Sequence, residues 1–459
     1  MIIPSWRAVA LTALGIIPII FFPTMTLTVA WFLLVVAMVL VDSALALSPR
    51  RLEVTRETPS PIRAGTDSVC TLTLANPSGR VVHMDVRDAW PPSVRQDPRR
   101  HHVRLEAHGK ARLRTAIFPA RRGTVFSDFV TVRAWGPLRL GSRQVSLRAD
   151  LTLTVIPEFR SRRLLPSRLQ RLHDLDGSTA TVLRGPGTEF DSLREYVIGD
   201  DPRDIDWRAT ARSRDLMVRT WRPERDRHVV IVVDTGRAGS LLLGPTDVEM
   251  IRSSDLSVVE EHTHDADVVD VGSAPRLDSG IEATLLLAAL ADRGGDKVHV
   301  MAVDRQVRAR VSGLTGPRLL NQLAIDFAGV QPTVEPTDWN KVIVEVGRMV
   351  HHHSLLVLVT EVPPLGSDPD FVDSVAALSR NHRVVVASAR DPHLDHMLSE
   401  SDTIDQVYGA AAASAVRREI RQACEQLNRI GVMTLDVSAG LLSAKLADLY
   451  VQLKGQGLA

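Results

Sequence analysis

Hydrophobic and polar positions change their rhythm along the chain. The first regime is continuous. No charged residue occurs from Ala8 to Val41, and Asp42 is the first acid. As one helix this run of roughly 34 residues would measure about 50 Å, against about 30 Å of hydrocarbon in a bilayer. Pro23 divides the run, so the pattern predicts two helices, 8–22 and 24–47, forming a transmembrane hairpin within residues 1–48. Arg7 precedes the run, and Arg50, Arg51 and Arg56 follow it. Two spans place both basic flanks on the cytoplasmic side, as the positive-inside rule asks. Ala44-Leu45-Ala46 imitates a signal-peptide cleavage site, but the apolar region is far longer than a signal core. The expected location is the plasma membrane, multi-pass, with the remaining domains in the cytosol.

The second regime, residues 49–157, alternates with period two. In "VVHMDVRD", Val82, Met84 and Val86 share one face, and His83, Asp85 and Arg87 the other. "VCTLTLANPSG", "ARLRTAIF" and "RQVSLRADLTLTVIP" repeat the alternation between Gly and Pro turns, which predicts an antiparallel β-sandwich-like domain. Residues 158–186 are arginine-rich and weakly periodic. They read as a linker with a short helix over 167–174.

From 228 to 459 strand and helix patterns alternate. "HVVIVVD", "KVHVMAV", "SLLVLVT" and "RVVVASA" are β-branched runs of the kind buried on both faces of a parallel sheet. Helical spacing separates them, in "SGIEATLLLAALADRGG", "GPRLLNQLAIDFAG", "DWNKVIVEVGRMV" and "DFVDSVAALSRN". The order predicts a doubly wound α/β domain, whose ligands sit beyond the carboxyl ends of the strands. Those ends carry Asp234, Asp304, Thr360-Glu361 and Arg390-Asp391. Residues 241–278 are acidic and weakly periodic, and they read as an inserted surface loop.

Composition narrows the function classes. A net charge of +1 gives no case for a nucleic-acid protein. Two cysteines, Cys70 and Cys424, exclude a disulfide framework and a cysteine-based zinc site. No serine elbow, P-loop or HExxH occurs. His351-His352-His353 reads as a solvated helix end. The densest polar stretch is 187–227, which contains "GTEFDSLREYVIGDDPRDIDWRATARSRDLMVRTWRPERDR". Its acids sit among arginines, which hold carboxylates ionised instead of tuning one upward for acid/base work.

Together the apolar run, the β-domain and that stretch resemble the bacterial family called domain of unknown function 58. Its hallmark is this polar segment ahead of a von Willebrand factor A-like domain. The resemblance implies a membrane-anchored adaptor that works with a MoxR-type AAA+ ATPase in complex assembly or envelope maintenance, while the residues themselves point to the lipid bilayer as a further partner and to no enzymatic activity. An A-type domain typically holds magnesium with Asp-x-Ser-x-Ser at the end of its first strand, helped by oxygens from later loops. Here that motif reads Asp234-Thr235-Gly236-Arg237-Ala238, without either serine, and Glu361 follows Thr360. No cofactor is therefore expected, and Asp234, Thr360 and Glu361 form a degenerate metal site. The alternative is a metal-dependent ligand-binding module. A weaker alternative is an envelope hydrolase.

Arginine forks pair bidentately with carboxylates. Glu189, Arg194, Glu195, Asp200, Asp201, Arg203, Asp206, Arg208, Arg212 and Arg219 are thus expected to interlock, with Tyr196 and Trp207 packing beside them and Gly199 and Pro202 shaping the turns. The segment is expected to act as a charged seam, either toward a partner or as an internal lock.

Overall fold

The alternating segments between residues 53 and 156 fold into two sheets whose inward residues meet. This computed structural model describes residues 2–178, 189–197, 201–213, 215–222, 227–244, 267–269, 274–399 and 402–456. The chain divides into two compact units, residues 1–158 with 327–329, and 159–326 with 330–459.

In the first unit the strands are β1 (Ile2–Pro4), β2 (Glu53–Glu57), β3 (Ile62–Arg63), β4 (Ser68–Ala75), β5 (Val82–Asp88), β6 (Val94–Asp97), β7 (His101–Leu105), β8 (Lys110–Pro119), β9 (Gly123–Trp135) and β10 (Gly141–Ile156). One sheet runs β1-β10-β9-β5-β7, with β3 also on β10. The other runs β2-β4-β8-β6. All these pairings are antiparallel except that of β3 with β10. Leu72 and Leu74 of one sheet pack with Met84, Val86, Val130 and Val132 of the other, as the period-two pattern requires. A buried ion pair, Arg56 with Asp88, lies inside this unit. Arg56 also donates to the carbonyls of Ser127 (2.6 Å) and Ala149 (2.8 Å), and Trp90 Nε1 donates to Asp88 (2.8 Å).

The apolar run forms α1 (Trp6–Leu14), α2 (Ile16–Phe21) and α3 (Met25–Leu45). Among the described residues one helix, starting at Met25, is long and apolar enough to cross a membrane, while Trp6–Phe21 is shorter. The expected second full-length span is therefore not matched. Pro18 explains the break between α1 and α2, because its ring excludes the carbonyl four residues earlier, at Leu14. Gly15 sits at that break, where a Cβ would collide with the indole of Trp31. Trp31 Nε1 donates to the Leu11 carbonyl (3.3 Å), which holds α3 against α1. Both ends of the helical segment are fastened to the β9–β10 turn. Ser5 N donates to the Leu140 carbonyl (2.8 Å), and the buried Asp42 accepts from the amides of Leu138 (2.8 Å), Leu140 (2.7 Å) and Gly141 (2.9 Å). Between these ends Phe32, Leu33, Leu34, Leu40 and Val41 are exposed apolar side chains.

In the second unit α4 (Leu165–Ser178) comes first, then β11 (Glu189–Glu195), α5 (Trp207–Ser213) and β12 (Met217–Arg222). The α/β part follows with β13 (His228–Asp234), α6 (Arg237–Ser240), α7 (Arg276–Arg293), β14 (Lys297–Val303), β15 (Val307–Val311), α8 (Gly316–Ala328), α9 (Trp339–Met349) and β16 (Leu355–Val359). It ends with α10 (Pro369–Ser379), β17 (Arg383–Arg390), α11 (Pro392–Ser399), α12 (Ile404–Arg429), β18 (Met433–Ser438) and α13 (Leu442–Gly455). The sheet order is β15-β14-β13-β16-β17-β18, parallel except for β15 on β14. Val230 and Val232 pack with Trp339, Val342, Phe371, Val375 and Leu427, so α9, α10 and α12 cover one face. α7 and α13 pack together and against the sheet, and α4 lies on both.

Two expectations change here. Most of the presumed linker, 158–186, is helical, with a 3-10 turn over Arg160–Leu164 running into α4. Buried Arg168 ties α4 to Asp267 (2.6 Å) and Asp448 (3.2 Å), and Leu172 is buried beside it. The arginine content masked this amphipathic face. Within the expected insertion, 241–278, residues 245–266 and 270–273 lie outside the described residues. Leu242 bridges to Pro275, and the buried Arg276 and Leu277 already belong to α7. α12 starts at Ile404, where Thr403 and Gln406 form a capping box ahead of an alanine run.

Candidate functional site

The strand order reverses between β13 and β16, and this reversal opens a crevice at their carboxyl ends. Asp234 ends β13 at its floor and is buried. Its Oδ1 accepts from the Gly236 amide (2.7 Å) and from the Thr337 hydroxyl, and its Oδ2 accepts from the Thr360 hydroxyl (2.5 Å). Burial pushes the Asp234 carboxyl above its ordinary value. The hydrogen bonds from Thr337, Thr360 and Gly236 and the charge of Arg276 pull the other way. A cleft of about 160 Å³ opens above it, walled by Arg237, Thr337, Trp339, Glu361, Pro363, Pro364 and Phe371.

Glu361 does not turn to Asp234. It accepts from Arg276 Nη1 (2.5 Å), whose guanidinium also donates to the carbonyls of Ala389 (2.9 Å) and Ala238 (3.1 Å). On the other side of β13, Asp304 after β14 accepts from Thr235 Oγ1 (3.2 Å), the Gln306 amide (2.8 Å) and Arg308 Nε (2.7 Å). Burial pushes the Asp304 carboxyl up, but Arg308 and the Gln306 amide outweigh it and hold it below its ordinary value.

The three residues expected as a degenerate metal site are thus neighbours, and Thr337 joins them. The oxygen type suits a hard cation, but the charge does not. Both hydroxyl neighbours of Asp234 donate to it, an arginine neutralises Glu361, and Asp368, also in the cleft wall, accepts from the Phe371 amide (3.0 Å) as the cap of α10. Among the described residues no three His, Cys, Asp or Glu side chains group as a metal site. Thr337 gave no signal in the sequence, being one of two threonines in a proline-containing loop. Arg276 was hidden in the presumed insertion.

In the charged segment, β11 and β12 pair as an antiparallel hairpin with Glu195 opposite Met217. Gly199 and Asp200 lie outside the described residues. Glu189 begins β11, and its side chain also lies outside them. Asp201 caps a 3-10 turn, Pro202–Asp204, by accepting from the Arg203 amide (2.9 Å). Asp206 accepts from the amides of Arg208 and Ala209 (both 3.0 Å) at the start of α5, and it pairs with Arg219 (2.8 Å). The Ala209 amide, then Arg219, hold its carboxyl below the ordinary value. Arg194 donates to the Glu195 carbonyl (3.1 Å), and the Tyr196 amide donates to the Leu216 carbonyl (2.7 Å).

Of the expected interlocked set, Asp206 and Arg219 form an ion pair between described residues. Arg208 and Arg212 stand one turn apart on α5 and are exposed, and Trp207 is 68% exposed instead of packed. His351, His352 and His353 follow α9 and are exposed. Both cysteines are free. Burial, then the neighbouring Asp88, pushes the Cys70 thiol up to about 12, which removes it as a nucleophile.

No curated protein matches the chain in sequence. Among solved structures, 23% of the chain aligns with 87% of the CARDB domain of a Pyrococcus furiosus protein in complex with di-metal ions, at 16% identity and a TM-score of 0.17. A FixG-related protein from Vibrio parahaemolyticus aligns over 23% of this chain and 96% of its own, at 6% identity and a TM-score of 0.18. WR4, an MSP family member of C. elegans, aligns over 23% and 97%, at 12% identity and a TM-score of 0.17. The model of the family described as "Protein of unknown function DUF58" matches residues 192–249 and 267–429, which carry the hairpin, α5 and the sheet from β13 to β17. By that match the chain belongs, across residues 192–429, to the DUF58 family.

Proposed function

We propose that the chain is a membrane-anchored, non-enzymatic adaptor whose α/β unit, von Willebrand factor A-like, works in the cytosol with a MoxR-type AAA+ ATPase. The observation that carries this reading is the closed hydrogen-bond set around Asp234. A catalytic carboxylate must reach substrate with a free oxygen. Here both oxygens of the buried carboxylate accept from the protein's own groups. What stays open to a partner is the exposed face of α5 with Trp207, Arg208 and Arg212. Exposed aromatic and arginine side chains side by side are typical anchors of protein interfaces. The anchoring of Ser5 and Asp42 to one turn supports a two-pass arrangement, with α1 and α2 entering the bilayer and α3 returning.

The test is co-purification of the full-length chain with a MoxR-type ATPase from the same organism, using the wild type, Asp206→Ala and Arg208→Ala. A complex weakened by Arg208→Ala supports the reading, and no complex with any variant or the wild type sinks it.

A second reading, a metal-dependent ligand-binding module, is favoured by the convergence of Asp234, Thr337 and Thr360 oxygens on one cleft. Calorimetry with magnesium or manganese decides it. A site lost in Asp234→Ala would establish the metal, and a flat titration of the wild type would remove it.

A further inference from the structure

The outer face of the β1-β10-β9-β5-β7 sheet holds a second, larger pocket of about 450 Å³, and it lies in the first unit. That volume is in the range of small-ligand sites. Strand alternation builds it. His83 pairs opposite Arg104 and Asp85 opposite His102, so these side chains leave the sheet on the face away from Met84 and Val103. The start of α1 supplies Trp6 and Arg7, and the β9–β10 turn supplies Arg139 beside Trp135.

Charge in the pocket is mainly positive. Arg104 pairs with Glu106 at 3.1 Å, with both side chains largely exposed. No described residue pairs with the guanidinium of Arg7 or Arg139. Asp85 is the acid in the wall, and its oxygens are taken by Trp135 Nε1 (3.0 Å) and the His102 ring (2.6 Å). Burial first, then Arg139 and Arg104, hold His83 below its ordinary value, so both arginines act on the same small volume.

The position of the pocket selects the ligand. Ser5 and Asp42 fasten the two ends of the apolar helical segment to the turn that carries Arg139. Trp6 is 76% exposed and Leu138, next to Arg139, is 60% exposed. An apolar rim of tryptophan and leucine beside arginines, at the root of a membrane helix, is the composition of a bilayer surface site. Arginine presents a planar fork suited to phosphate oxygens.

We propose that this pocket binds the phosphate of an anionic phospholipid headgroup through Arg7, Arg104 and Arg139, with Trp6 at the glycerol level. The site is separate from the cleft at Asp234 and rests only on the membrane-anchored part of the reading above.

The experiment uses the full-length chain in lipid nanodiscs of phosphatidylcholine, with and without phosphatidylglycerol, and counts retained lipid by native mass spectrometry. The wild type should retain phosphatidylglycerol over phosphatidylcholine by at least tenfold. The triple variant Arg7→Gln, Arg104→Gln, Arg139→Gln should lose that preference, each arginine contributing roughly tenfold or less. Arg112→Gln, an exposed position on the other sheet, should keep it. Unchanged circular dichroism in the triple variant separates lost binding from lost folding, and Arg139→Lys should retain part of the preference if the fold tolerates no larger change. An equal preference in the wild type and a folded triple variant overturns the proposal. So does displacement of the lipid by an equal concentration of inorganic phosphate, which would make free phosphate the ligand. A wild type that fails to enter any nanodisc overturns the proposal and the anchoring reading together, whereas loss of the ATPase complex alone leaves it standing.

Discussion

Thr360 donates its hydroxyl to Asp234 across 2.5 Å, joining the ends of two adjacent parallel strands whose residues lie 126 positions apart. The bond locks the crevice where an α/β sheet usually meets its ligand. It has a pH consequence with a definite sign. Burial raises the Asp234 carboxyl above its unfolded value of 3.8, so the folded chain keeps a proton that the unfolded chain releases. Stability is then fully present below that value and declines as pH rises through the folded value. Asp234→Asn, neutral and of the same shape, should flatten this decline in urea denaturation measured from pH 4 to pH 7. Asp234→Ala should instead destabilise the unit by about 1–3 kcal/mol, because it strands the Gly236 amide and two hydroxyls. An equally steep decline with rising pH in Asp234→Asn and in the wild type would refute the assignment.

Asp206 combines a helix cap with an ion pair. Its depressed carboxyl contributes stability above the unfolded value of 3.8 that is lost as pH falls through the folded value. Asp206→Asn keeps the cap and loses the pair, while Asp206→Ala loses both. Hydrogen exchange of peptides spanning α5 should therefore accelerate in the order wild type, Asn, Ala. Equal exchange in all three would mean that α5 is held by something else.

The pair of Arg56 and Asp88 is buried on both sides. Removing one partner leaves an uncompensated charge in the sandwich, a loss of roughly 3–5 kcal/mol. Asp88→Ala should lower the midpoint of denaturation and raise the reactivity of Cys70 toward a thiol reagent, since Asp88 helps to hold that thiol protonated. A stable Asp88→Ala protein with an inert Cys70 would contradict both statements.

Asp42 is the buried clasp between α3 and the β9–β10 turn. Asp42→Ala leaves three backbone amides without their acceptor, and Asp42→Asn can serve only part of them. Limited proteolysis of the chain in detergent should cut Asp42→Ala near residues 136–141 faster than the wild type, with Asp42→Asn between them. Unchanged cutting would show that β1 and Ser5 suffice to hold the helices.

Much of the architecture was legible without coordinates. β13 and β14 occupy the residues that their β-branched runs predict, and the period-two faces of β4 and β5 meet in the sandwich core. These are short-range properties, because the period of apolar residues reflects the geometry of the element that carries them. The first helix shows the limit even there. Pro23 and the bend at Pro18 are legible in the run, whereas the approach of Trp31 to Gly15 depends on a partner helix.

Which polar groups meet was decided only by the tertiary structure. Arg168 meets Asp267 and Asp448, Arg276 meets Glu361, and Thr337 meets Asp234, each across 85 or more positions. Sheet order and helix docking set such pairs, and neither leaves a local pattern in the chain. The charged segment was the clearest identifier in the sequence, yet folding turns Arg208 and Arg212 to solvent and keeps Asp206 with Arg219. Sequence determined the elements and the apolar helical segment, since both follow from residues close in the chain. The hydrogen-bond set at Asp234 and the arginine pocket at the root of the helices arose from folding, because only it brings residues distant in the chain together.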